Sequence, residues 1–248
     1  MTGLTITAEG RGYPASGTTV TIDPPAAGLP AGTGWATMTV SESGSVTMAG
    51  KLGDGTAFSA GATISAVNGV DRFAVYLPLY KTTSKPTAPG AIGGAITFEP
   101  NAGSDCDGTL SWLKPAQTTG ALYQAGFVTS VIIEGARYAE PISGPALEFS
   151  SAAGATGSVG FSGGNLTGSP TDTIAVSNKD AMTETGSIAD KLKLTMNAKS
   201  GLISGSFKPQ APILPTTSLS GILYQKGNVG VGQFLGPSQS GAVQLTPQ

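Results

Sequence analysis

The chain contains no histidine, a single cysteine and few charged residues among its 248 residues. The absence of histidine removes the commonest general base and the commonest transition-metal ligand of proteins. The single thiol, Cys106, cannot form a disulfide within the chain, so no internal disulfide holds the fold together. Charged residues make up 11% of the chain, against roughly 25% in typical soluble domains, so uncharged polar residues and glycine must cover most of the surface.

The charge balance and the lack of long apolar runs argue against two further classes of protein. The formal net charge is -2 and the isoelectric point is near 5.1, which leaves no basic patch to neutralise phosphates, so we predict no nucleic-acid partner. No run reaches the about 18 apolar residues of a membrane helix, so we predict no membrane insertion. Residues 1–10 lack the basic and apolar regions of a signal peptide. We therefore expect that an exported parent protein would contain this chain as one piece.

A strand-pair pattern occurs twice in the chain, at residues 37–52 and 192–207. In each copy apolar and polar residues alternate, which is typical of a half-buried strand. Each copy also contains a Ser-Gly pair, and Gly44 and Gly201 can supply the positive φ angle of a tight hairpin. The repetition predicts an all-β fold of two related antiparallel meanders that form a barrel-like or sandwich-like body.

Glycine and proline lie between short apolar runs and divide the chain into three parts. Residues 1–116 are predicted to form the first meander, residues 117–144 a crossover segment, and residues 145–248 the second meander. Only residues 180–190 favour a helix, and Gly186 limits that helix to about one turn. The predicted strands of the first meander are residues 4–8, 18–22, 37–52 as a hairpin, 57–67, 73–80, 91–98 and 109–115.

Short motifs follow one another from Trp35 onward: GKLGDGTAFS (50–59), VYLPLY (75–80), LSWLKP (110–115), AGF (125–127), SGLISGSF (200–207) and the glycine-rich residues 221–247. Their order and spacing resemble those of a β-rich module at the C-termini of large secreted or surface proteins of environmental bacteria. The resemblance implies an extracellular or cell-surface location within a larger exported protein. That family has no assigned activity, so the resemblance implies no catalytic residue.

Aromatic side chains on a weakly charged β surface are candidates for stacking against sugar rings. Tyr76 and Tyr80 are predicted to share one strand face about 13 Å apart at about 3.3 Å per residue, a span that suits an oligosaccharide. Trp112, Tyr138 and Arg137 are the other candidate ligand-binding residues. The alternative for the aromatic residues is burial in the core, since tryptophan above all is buried on average.

Four acidic residues and the single cysteine are candidates for catalysis or metal binding. Glu134 and Glu140 are a candidate acid–base pair for glycoside cleavage, with a surface ion pair to Arg137 as the alternative. Asp105 and Asp107 resemble part of a calcium loop, but the acidic ligand expected further on is missing, which favours a plain hairpin turn with an exposed Cys106. Without a nearby base, this thiol is a poor candidate for a nucleophile.

The sequence thus predicts a non-catalytic extracellular β module that binds a polysaccharide or surface glycan and needs no cofactor. Two alternatives remain open. The first is a structural spacer or self-assembling subunit whose edge strands pair with a neighbouring copy. The second is a glycoside-cleaving enzyme that uses Glu134 and Glu140.

Overall fold

A computed structural model describes residues 28–81, 89–118, 122–149, 155–177, 181–186, 191–210 and 215–248. These residues form sixteen β-strands and no helix. The strands predicted at residues 4–8 and 18–22 lie outside the described residues. The prediction of an all-β fold of antiparallel meanders is confirmed.

The strands fall into two groups of eight along the chain. The first group is β1 (Trp35–Val40), β2 (Ser45–Lys51), β3 (Ala57–Thr63), β4 (Ser65–Val67), β5 (Val70–Leu79), β6 (Gly90–Phe98), β7 (Cys106–Lys114) and β8 (Phe127–Gly135). The second group is β9 (Thr156–Gly163), β10 (Thr171–Val176), β11 (Met182–Glu184), β12 (Lys193–Asn197), β13 (Leu202–Phe207), β14 (Thr217–Tyr224), β15 (Val229–Leu235) and β16 (Ser240–Pro247).

The first group forms two antiparallel sheets. One has the order β1-β2-β3 and the other has the order β4-β5-β6-β7-β8. Strand β3 also lies beside β5, so the two sheets follow one another around the same core. Pro78 of β5 pairs with Ala91 of β6, whereas the pairing of β5 with β4 ends at Arg72. This agrees with the edge-like position that proline favours, because it has no N–H to donate to a second neighbour.

The second group forms a nearly closed antiparallel barrel with the order β11-β10-β9-β16-β15-β14-β13-β12. Consecutive strands pair with each other in this sheet, except that β11 and β12 lie at its two ends and the last strand, β16, pairs with the first, β9. Strands β11 and β12 approach each other at the seam without a hydrogen-bonded ladder. The pairing of β16 with β9 therefore joins the first strand of this half to the last, and the barrel stays open only at the seam between β11 and β12.

The two predicted hairpins are β1–β2 and β12–β13, and both are confirmed. Gly44 and Gly201 have φ angles of +78° and +68°, so each turn uses glycine in the left-handed region. In β2 the buried Val46 and Met48 alternate with exposed neighbours. One predicted detail differs: residues 182–184 form the strand β11 instead of a helical turn. The crossover segment supplies β8, which pairs with β7 in the sheet of the first half.

Each half has a hydrophobic core of its own. In the first half, alternate residues of β5 point inward and are buried with side chains of β2, β6 and β7. In the second half three phenylalanine rings fill the barrel: Phe207 stacks on Phe161 at 4.2 Å between centroids and meets Phe234 edge-on at 5.0 Å. Bulky rings thus occupy the interior that an eight-stranded barrel leaves for side chains.

Polar contacts connect the two halves. Lys226 donates to the carbonyl of Asn101 at 2.6 Å and to Asp105 Oδ1 at 2.7 Å. Elsewhere, Trp35 Nε1 donates to Ser220 Oγ at 3.3 Å. These bonds tie the β6–β7 turn to the β14–β15 turn, and the start of β1 to the outside of the barrel.

Candidate functional sites

The outward-facing residues of β5 to β8 form a broad exposed surface, which we call the outer face. The cross-strand register places these residues in three rows: Tyr76, Gly93, Ser111 and Ser130; Ala74, Ala95, Thr109 and Ile132; Pro78, Ala91, Leu113 and Val128. Most of the members are small or carry a hydroxyl group. Tyr76, Leu113, Val128 and Ile132 are the large exposed apolar side chains of this surface. The outer face is therefore weakly polar and uncharged over these three rows.

Tyr76 is the aromatic residue of the outer face. Its side chain is 74% exposed, and a Cβ atom placed on Gly93 would lie 3.5 Å from Tyr76 Cδ2. The ring thus leans over Gly93 while much of its surface stays in contact with solvent. Ser111 follows Gly93 in the same row, so the ring leans toward the strand that carries this hydroxyl group.

A fourth row, at one end of the outer face, carries charge. Asp107 of β7 lies directly opposite Glu134 of β8. Both residues line an open cavity of about 410 Å³ together with Asn101, Ser104 and Thr109. The structure therefore pairs Glu134 with Asp107, whereas Glu140 is an exposed residue beyond the end of β8.

Tyr80 and Trp112 occupy a different environment from Tyr76. Tyr80 O–H donates to Asp54 Oδ2 at 2.9 Å, and Trp112 Nε1 donates to the Tyr80 hydroxyl at 2.9 Å. Lys114 Nζ lies 3.0 Å from the same Asp54 oxygen and 4.2 Å from the centroid of the Tyr80 ring. Trp112 is only 3% exposed. These residues form a buried polar network, and neither aromatic side chain joins Tyr76 on the outer face.

The backbone explains why Tyr80 leaves the face predicted for it. Its φ angle is +64°, in the left-handed region, which is unusual for a bulky residue and ends the alternation of β5. The hydroxyl group consequently reaches Asp54 in the interior. Burial, and after it the negative charge of Asp54, raises the pKa of the Tyr80 phenol well above its ordinary value, so this side chain stays protonated.

Tyr138 and Arg137 lie after β8, where the chain passes to the second half. The Tyr138 hydroxyl donates to the carbonyl of Ala198 at 2.5 Å, and its ring packs on the turn at Gly201. Tyr138 is half-buried against the core of the barrel. Arg137 has an exposed side chain, and its backbone N–H donates to Asp105 Oδ2 at 2.7 Å. The structure thus holds Tyr138 against the β12–β13 hairpin and keeps it apart from Tyr76.

The carboxylate of Asp105 is occupied by protein groups. One oxygen accepts from Lys226 and the other accepts from the backbone of Arg137. The hydrogen bond from Lys226, and next that from Arg137, lowers the pKa of Asp105 below its ordinary value. Within the described ranges, no three histidine, cysteine, aspartate or glutamate side chains are grouped as metal ligands.

Cys106 is buried, which corrects the expectation of an exposed thiol. It is the first residue of β7 and points into the core of the first half. Burial is the main cause that raises the pKa of its thiol, and the charges of Asp105 and Asp107 act in the same direction.

Sequence reasoning missed Asp54 and Lys114, although both lie in motifs that carry the family resemblance. Asp54 belongs to GKLGDGTAFS and Lys114 to LSWLKP, while Tyr80 ends VYLPLY. The alternation of β7 places Lys114, two residues after Trp112, on the inward-facing side of the strand. A charged residue at such a position could have indicated a buried partner. The structure brings all three motifs together at the polar network.

The described residues define an all-β protein with a nearly closed eight-stranded barrel beside a second antiparallel body. Comparisons of the chain with protein-family models, with curated proteins and with solved structures found no match. None of the described segments is a helix with the length and apolar character needed to span a membrane.

Proposed function

We propose that the protein is an extracellular or cell-surface β module that binds a polysaccharide or surface glycan on the outer face. One observation carries this proposal: the Tyr76 ring is 74% exposed beside a row of glycine and serine residues. An exposed ring can cover the apolar face of a sugar, and neighbouring hydroxyl groups can bond to its equatorial hydroxyls.

The dimensions of the outer face suit a chain of sugars better than a single ring. The row from Tyr76 to Ser130 crosses four strands, and at about 4.8 Å between strands it spans about 14 Å. Its small side chains leave the surface shallow and open along this direction. An extended glycan can therefore lie across the strands with one ring on Tyr76 and others beside Ser111 and Ser130.

Binding to a panel of soluble and insoluble polysaccharides tests this proposal. We expect the purified chain to deplete from solution with at least one polysaccharide, and Tyr76→Ala to weaken that binding by at least tenfold. A matched control is Ile142→Ala, because Ile142 is fully exposed and lies outside the outer face. If Tyr76→Ala and Ile142→Ala bind like the parent chain, the outer face is not the glycan site.

The same assay examines the enzymatic alternative. Release of reducing ends would favour glycoside cleavage, and Glu134→Gln would then be expected to abolish it. Since Asp107 lies opposite Glu134, Asp107→Asn is the companion variant, with Glu140→Gln as the comparison. Binding without products would support the non-catalytic module.

A second candidate function is self-assembly, and the edge strand β8 favours it. Among the described residues no strand pairs with its outer edge. The strand has nine residues without lysine or proline, and Val128 and Ile132 are 75% and 53% exposed. Long apolar edges of this kind accept a strand from another chain.

Light scattering over a range of protein concentrations tests self-assembly. We expect the mass to rise with concentration if β8 pairs with a second copy, and Ile132→Lys to prevent the rise because a charge at an edge opposes pairing. A strict monomer at high concentration would contradict this candidate and leave glycan binding untouched.

A further inference from the structure

Lys114 and Asp54 form a buried pair that takes no part in the proposed glycan-binding face. Lys114 Nζ lies 3.0 Å from Asp54 Oδ2, and the two side chains are 7% and 0% exposed. The second lysine–aspartate pair, Lys226 and Asp105, is as close at 2.7 Å, but each of its side chains is 29% exposed. Water thus reaches the second pair and is excluded from the first.

We propose that Lys114 and Asp54 become joined by an intramolecular isopeptide bond, which cross-links β7 to the turn between β2 and β3. In this step the bond between Nζ and the side-chain carbon Cγ of Asp54 forms, and the bond from Cγ to Oδ2 breaks. The ammonium group gives two protons to Oδ2, which leaves as one water molecule. The ion pair contains every atom that the condensation requires, so no oxidant or cofactor is consumed.

Burial keeps water away from the two reacting groups, since the Lys114 and Asp54 side chains are 7% and 0% exposed. The first of the two protons that the ammonium group gives up must leave before Nζ can attack, and Asp54 Oδ2 lies 3.0 Å away to accept it. The fold also holds the two groups in contact, and well-oriented intramolecular groups reach effective molarities of about 10⁵ M or more. The Tyr80 ring, 4.2 Å from Nζ, limits the positions open to the amine.

Hydrogen-bond donors surround both oxygens of Asp54. The backbone N–H of Thr56 donates to Oδ1 at 2.9 Å, where negative charge develops when Nζ attacks Cγ. The Tyr80 hydroxyl donates to Oδ2 at 2.9 Å and so stabilises the oxygen that leaves by a hydrogen bond. Trp112 Nε1 donates to that hydroxyl and fixes its position. Asp54 thus has a nucleophile, an oxyanion donor and a donor to the leaving oxygen within hydrogen-bond distance.

Mass spectrometry of the full chain under denaturing conditions tests the proposal. We expect the mass to be lower than the sequence mass by one water molecule, and peptide mapping to show the Asp54 peptide joined to the Lys114 peptide. A chain that has its full sequence mass, with the two peptides separate, would overturn the proposal. This measurement needs only the unsubstituted chain, so it remains decisive if a variant fails to fold.

Two lysine variants distinguish the cross-link from succinimide formation, a second reaction that also removes one water molecule. Asp54 precedes Gly55, and such a pair can also lose water by closing a succinimide ring within the main chain. Lys114→Met is expected to have its full sequence mass if the cross-link is the cause. Lys226→Met is the matched control and is expected to lose water as the parent does. Loss of water from Lys114→Met would assign the change to the succinimide and contradict the proposal.

Discussion

Replacement of Gln233 by methionine is expected to stabilise the protein. Gln233 lies on β15 and is 2% exposed, and neither its Nε2 nor its Oε1 atom has a hydrogen-bond partner. The segment at Gly32 covers it, since a Cβ on Gly32 would lie 2.9 Å from Gln233 Oε1. A buried polar group without a partner costs about 1–3 kcal/mol. Methionine keeps the unbranched shape and removes both polar atoms, and volume-conserving changes of this kind cost less than about 1.5 kcal/mol.

We therefore expect Gln233→Met to raise the free energy of unfolding by about 1 kcal/mol, from a desolvation cost of about 2 kcal/mol removed and a repacking cost of about 1 kcal/mol added. For a chain of this size, each kcal/mol corresponds to a rise in melting temperature of about 2–4 °C. Urea unfolding followed by tryptophan fluorescence and thermal unfolding followed by circular dichroism both measure the change. Because each half has its own core, the two signals must be compared before a single transition is assumed.

Gln244→Met provides the control. Gln244 is an exposed residue of the neighbouring strand β16, and exposed substitutions usually change stability by less than about 0.5 kcal/mol. If Gln233→Met is no more stable than the parent, the reasoning fails, and the amide of Gln233 has a partner such as an ordered water molecule.

Three further predictions concern titratable groups. The pKa of Asp105 is lowered in the folded protein, so its bond to Lys226 stabilises the fold fully above the ordinary carboxyl pKa of about 4. This stabilisation is lost as the pH falls through the folded pKa, and Lys226→Met should remove this part of the acid dependence of unfolding. The pKa of Tyr80 is raised, so its contribution to the free energy of unfolding is complete below the unfolded pKa of about 10 and is lost as the pH rises above that value. Tyr80→Phe should therefore flatten the alkaline limb of the plot of stability against pH, and an unchanged limb would contradict the burial of Tyr80. Because burial raises the pKa of the Cys106 thiol, we expect alkylation to be slow in the folded protein and fast in urea, with rapid labelling of the folded chain as the contrary result.

The sequence alone predicted the strands and both hairpins of the described residues well. Alternation of apolar and polar residues follows from the backbone geometry of a strand, so the buried Val46 and Met48 could be recognised without knowing their neighbours. Gly44 and Gly201 were recognisable because few other residues adopt a positive φ angle at low cost. The alternation in β5 likewise placed Tyr76 opposite the buried Val75 and Leu77.

The same alternation failed at the end of β5, for a physical reason. Continued periodicity would place Tyr80 beside Tyr76, but a left-handed backbone at Tyr80 turns the side chain toward Asp54. Asp54 is 26 residues away in sequence, and Lys114 is 60 residues from Asp54. No local pattern reports that these side chains meet, so the buried network could not be predicted from spacing.

Local residue order determined where the strands begin, which of their faces are apolar and where the turns lie, because these features depend on neighbours a few residues apart. Only the tertiary structure decided that β16 pairs with β9, that β8 joins the first half, and that Lys114 meets Asp54. These outcomes depend on contacts between distant segments, whose free energy comes from packing and from desolvation of charge. The strand pattern could therefore be predicted from the sequence, whereas the pairing of distant strands and the partners of buried charges depend on tertiary contacts that no local pattern contains.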